Sequence, residues 1–99
     1  MRYMKDNVFT DILQEITILH DSKSIGYGSD TDPLANIRAS SEIGIDPKLG
    51  IIIRMTDKWH RIKRWYGGTK ISDEKLRDNM IDLVTYGIIW LELFDEKNK

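Results

Sequence analysis

Between Leu76 and Leu93 the chain has the length and apolar density of a central helix, yet the first half of this stretch carries two aspartates four residues apart. That spacing stacks Asp78 and Asp82 on one helix face. At about 100° per residue, Thr85, Tyr86, Ile89 and Leu93 continue the same face, so an acidic stripe runs into apolar ground. Carboxylates that begin on a surface about to become core need a partner, which can be a basic side chain or a metal ion. The rest of the chain has to supply it.

The apolar period is helical throughout. Val8, Phe9, Ile12, Leu13, Ile16 and Leu19 recur at three- and four-residue steps and predict a helix over 7–24, with Asn7 or Thr10 as its cap. Gly26-Tyr27-Gly28 ends it in a loop. Asp32-Pro33 and Asp46-Pro47 are both restart signals, a capping side chain followed by proline at the first helical position. They predict helices over 33–43, closed by Gly44, and over 47–66, closed by Gly67-Gly68. The inward stripe of the longer one is Met55, Trp59, Ile62 and Tyr66, joined by Ile51 and Ile52. Ser72 caps a fourth helix over 73–94, with Asp73 and Glu74 in its first turn, where acidic groups suit the dipole. The run Ile51 to Ile53 could pass for a strand, but its flanks keep helical spacing and no second strand is evident. The expectation is an all-α fold: a small antiparallel bundle of about four helices forming one domain over 1–99.

Ninety-nine residues allow only a modest core, and such chains often complete their burial by pairing with copies of themselves. Fifteen basic residues against sixteen acidic ones leave no global field for nucleic acid or membrane. No apolar run approaches the roughly 18 residues of a membrane span, and no signal peptide is evident at the N-terminus. A cytoplasmic location follows as the expectation. The absence of cysteine excludes disulfides, thiol catalysis and thiolate metal sites.

Charge is uneven locally. Arg54, Asp57, Lys58 and Arg61 lie i, i+3, i+4 and i+7 along one face of the third helix, and Glu74, Asp78 and Asp82 answer them on the fourth. Helices joined by a short glycine-containing link pack antiparallel, which lets the two sets meet. Asp57, Glu74, Asp78 and Asp82 around one point would suit Mg²⁺, with Arg54, Lys58 and Arg61 beside them for phosphate oxygens. On spacing alone, Asp57, Arg61, Asp78 and Asp82 read first as an interhelical salt-bridge network without a metal. Lys23 and Tyr27, at the end of the first helix, could reach over a pocket from its terminating loop. His20 and His60 have no second histidine at ligand spacing. Of the aromatics interleaved with bases from Lys58 to Trp65, Trp59 falls on the apolar stripe and Trp65 on the basic face, where it could stack on a base. This carries no strong nucleic-acid signal.

Several runs together resemble a known group: Tyr27-Gly28, Asp32-Pro33-Leu34-Ala35-Asn36-Ile37, Gly44, Arg54-Met55-Thr56-Asp57-Lys58 with Arg61-Ile62, and Asp73-Glu74 to Asp78, Asp82-Leu83 and Tyr86. They resemble the small, mostly phage-encoded nucleotide modification associated domain proteins. That group is similar in turn to the all-α nucleoside triphosphate pyrophosphatases of the MazG and dimeric dUTPase kind. The resemblance covers about Lys23 to Leu93. It implies a MazG-like, homo-oligomeric helical bundle that handles a nucleotide, in the host cytoplasm if phage-encoded. In those enzymes acidic residues on two neighbouring helices hold Mg²⁺, and the products are a monophosphate and pyrophosphate. Carried over, Asp78 and Asp82 match the acidic pair of the later helix, with Glu74 one turn earlier. Asn36 joins Lys23, Tyr27, Arg54, Lys58 and Arg61 as substrate-side residues. The earlier helix departs from the pattern: where MazG-type enzymes carry Glu-x-x-Glu, this chain has Asp57 flanked by bases. Two expectations follow, a Mg²⁺-dependent pyrophosphohydrolase or a non-catalytic nucleotide-binding or host-interacting protein on the same bundle.

Overall fold

A computed structural model describes residues 7–27 and 39–97. These residues are helical and contain no strand. Among the described residues there are three α-helices: α1 (Val8–Tyr27), α2 (Pro47–Tyr66) and α3 (Asp73–Lys97), with a 3₁₀ turn at Ala39–Ile43 before α2. The chain divides into two compact units, Met1–Ala35 and Asn36–Lys99. No helix among the described residues is long and apolar enough to cross a membrane.

In the first unit, Asn7 is the cap of α1: its side-chain oxygen accepts the Thr10 N–H at 3.0 Å. Ile16 is buried, whereas Val8, Phe9 and Leu19 of the same expected stripe stay exposed. The helix passes through Gly26 and ends at Tyr27, beyond the expected stop. A single glycine only weakens a helix, and the hydrogen-bond ladder carries across it.

The second unit is built around a helical hairpin. Asp46 caps α2 with extended backbone, its carboxylate accepting the Lys48 N–H at 3.0 Å, and Pro47 stands in the first turn, where a missing N–H costs nothing. At the other end, the Gly68 N–H reaches the Trp65 carbonyl and the Thr69 N–H reaches the Arg64 carbonyl, both at 3.0 Å. Gly68 has φ +105°, so this is a Schellman ending that needs glycine. Ser72 then opens α3 by accepting the Lys75 N–H at 3.2 Å.

Register across the hairpin is antiparallel. Lys58 pairs with Asp82, and a Cβ on Gly87 would lie 3.8 Å from Met55 Cε. The same register sets Ile51 level with Ile89. Ile51, Ile62, Ile89 and Leu93 are buried and form the hairpin's apolar centre. The isoleucine run is helical, and only its first member is inside. Trp90 and Phe94 stack one turn apart on α3 with ring centroids 5.3 Å apart.

Two expectations change here. Most of the helix expected over 33–43 lies outside the described residues, and its described end, Ala39–Ile43, is a 3₁₀ turn rather than α-helix. Ser40 and Ser41 are weak helix formers, and Gly44, at φ +82°, closes the turn at once. Trp59 and Tyr66, expected on the inward stripe, are 50% and 79% exposed. They flank the packing line, whose centre is Ile51, Met55, Lys58 and Ile62.

Gly50 sits in the first half of α2 with open space where a Cβ would project. Gly50→Ala is therefore expected to stabilise the unit by about 0.5–1 kcal/mol, seen as a raised urea midpoint with unchanged slope.

Candidate functional site

The Asp46 cap sets the phase of α2, and from it Arg54, Lys58 and Arg61 fall along one flank at i, i+4 and i+7. Lys58 lies nearest the partner helix. Its Nζ stands 3.1 Å from Asp82 Oδ2, with the two side chains only 19% and 28% exposed. Shielding of that kind lessens solvent screening, so this ion pair couples α2 to α3 more strongly than a surface pair would. Arg61 turns instead to its own helix and meets Asp57 at 3.3 Å, an i, i+4 contact with both side chains more than half exposed. Such pairs contribute only a few tenths of a kcal/mol.

The acidic stripe of α3 thus has a gradient. Glu74 and Asp78 are exposed and make no ion pair among the described residues, Asp82 is half-buried on Lys58, and Ile89 and Leu93 complete the face inside. Thr85, between them, donates its hydroxyl to the Ile81 carbonyl at 2.7 Å. Asn36 and the side chains of Lys23 and Tyr27 lie outside the described residues.

Mg²⁺ binding needs several convergent oxygens. Among the described residues no group of three or more histidine, aspartate or glutamate side chains is gathered in that way. Asp57 and Asp82 each lie against a base, which occupies oxygen that a metal would require. As arranged, Asp57, Glu74, Asp78 and Asp82 do not fit a resident divalent ion. What the flank can do is present guanidinium and ammonium groups to an anion, with Arg54 exposed and free of any ion pair among the described residues.

A concavity lies on the other flank of α2. Trp59, Ile62, Lys63 and Tyr66 face Leu76, Arg77 and Met80 of α3 across an open groove of about 790 Å³. Sequence reasoning missed it by assigning Trp59 and Tyr66 to the core. The available signal was Lys63 seated between two aromatics at i−4 and i+3, a cation where a purely inward face would be apolar. Trp65, expected to stand free on the basic face, packs edge-on against Tyr66 with ring centroids 4.7 Å apart.

Compared with known proteins, the chain matches no family model, no curated protein and no solved structure.

Proposed function

We propose that this chain is a nucleotide-binding protein of the MazG-like, phage-associated kind that its sequence resembles, acting in the cytoplasm as a homo-oligomer. The observation that carries the reading is the flank of α2, where Arg54 and Arg61 bracket the shielded Lys58–Asp82 pair. Triphosphate oxygens compete for such a flank, because arginine offers paired donors and the Asp57 contact it must leave is weak and exposed. The oligomer rests on a different feature. Val84, Ile88 and Leu91 recur at four- and three-residue steps along α3 and are 41–54% exposed, an apolar stripe that a second copy would cover.

Hydrolysis is the second reading, favoured by one observation: Glu74 and Asp78, one turn apart, carry no ion pair among the described residues. Mg²⁺ would then arrive with the triphosphate as part of the substrate.

Titration of the purified protein with a deoxynucleoside triphosphate, with and without Mg²⁺, separates these. Saturable binding that drops about tenfold in the Arg54→Gln, Arg61→Gln double variant supports the proposal, since charge-assisted contacts to phosphate are the strong ones. Absence of binding under both conditions would sink it. Release of pyrophosphate that disappears in Asp78→Asn establishes the hydrolytic reading, and binding without release leaves the chain a binder.

A further inference from the structure

The groove between Trp59 and Met80 is separate from the flank just described. At about 100° per residue, Trp59, Lys63 and Tyr66 project from the side of α2 opposite Arg54 and Arg61. Its floor is apolar and closed by Ile62, which is 3% exposed. Its walls are unusual for a surface furrow: Trp59 is half exposed and Tyr66 more so, and Met80 opposite them is 42% exposed. Large aromatic faces left in water beside a packed floor offer a platform for a flat ring, worth about 1–3 kcal/mol for a stacked base. Thioether carbons and sulfur at the facing wall favour the same kind of guest.

Charge narrows the guest further. Lys63 stands between Trp59 and Tyr66 on α2, and Arg77 borders the groove from α3, with Asp73 as the one carboxylate on the rim. The exposed Lys63, set beside the aromatic walls, complements a ring that carries a phosphate. The carboxylate is left to accept from a ring amine. The volume is in the range of pockets that hold small ligands.

We propose that this groove is a second nucleotide site, which takes a nucleoside monophosphate with its base on Trp59 and its phosphate at Lys63. It stands independently of triphosphate binding at Arg54 and Arg61. Adenosine monophosphate without metal is the probe. Trp59 and Trp65 line the groove, so occupancy reads out as a change in tryptophan fluorescence, checked by calorimetry.

In the wild-type protein the fluorescence should saturate. Trp59→Leu and Lys63→Gln should each weaken binding about tenfold, from lost stacking and a lost charge-assisted contact. Both positions are exposed enough for the variants to keep wild-type helicity by circular dichroism. Arg54→Gln should leave the monophosphate affinity within twofold while weakening the triphosphate. The inference is overturned if the wild type shows no saturable response to the monophosphate, or if it binds with the same affinity in both groove variants. It is equally overturned if Trp59→Leu changes the oligomeric state and leaves monophosphate affinity untouched, because the groove would then be a contact between copies. Loss of triphosphate binding alone removes the other site and leaves this one standing.

Discussion

Ile51→Ala is expected to cost about 3 kcal/mol of folding free energy, within the 2–5 kcal/mol seen when a fully buried aliphatic chain is cut back to Cβ. Ile51 has no exposed surface, and it sits on the packing line of α2 level with Ile89. The loss therefore combines transfer of three methyl or methylene groups with a cavity that two rigid helices cannot close. A domain of this size has about 5–15 kcal/mol in total, so the urea midpoint should fall by a large fraction while the slope stays constant. The contrast is built into the chain. Ile53, two residues on, is 60% exposed, and Ile53→Ala should move the midpoint little. Equal costs at the two positions would mean that α2 is rotated from the phase described.

The second large effect concerns Lys58 and Asp82. Lys58→Met removes the base from a carboxylate that is only 28% exposed. The expected cost is about 1–2 kcal/mol, below the 3–5 kcal/mol of a fully buried pair because both groups still touch water. Lys58→Met combined with Asp82→Leu should recover most of that loss, since two apolar chains of similar volume need no desolvated charge between them. A double-mutant cycle from chemical denaturation measures the coupling, expected at about 1 kcal/mol. A cycle that sums to zero would reduce the pair to a surface contact. Should the double variant fold well yet bind triphosphate less tightly, the pair's role lies in presenting Lys58 to phosphate and not in holding the hairpin.

The helix boundaries that could be read from the residues are those written in backbone chemistry. Asp46-Pro47, Gly67-Gly68 and Ser72 each act within a few residues of themselves, so their geometry owes nothing to what packs against them. The pairing of Asp82 was half legible. Its spacing from Asp78 announced a need for a partner, but whether Asp57, Lys58 or Arg61 faced it depends on helix phase across the hairpin. Arg61 could reach either Asp57 or the next helix, and the in-helix contact is the one formed. Least legible was depth. Trp59 and Ile62 both belong to an apolar stripe, yet one is half exposed and the other closed, because they stand about 60° apart around α2 and only one edge of the stripe is turned to α3.

The six-residue link between α2 and α3 has a kinetic consequence. Closing so short a loop costs little chain entropy, and the contacts it allows join segments adjacent in sequence. Low sequence separation of contacts goes with folding in microseconds to milliseconds. Because the Schellman turn at Gly68 and the Ser72 cap are both local, each can form before the helices meet, and the chain emerges from the turn already aimed backwards. The level pair Ile51 and Ile89 lies far from the turn and would come together late in hairpin assembly. Mutations near Ile51 would accelerate unfolding, while mutations beside the turn would slow folding.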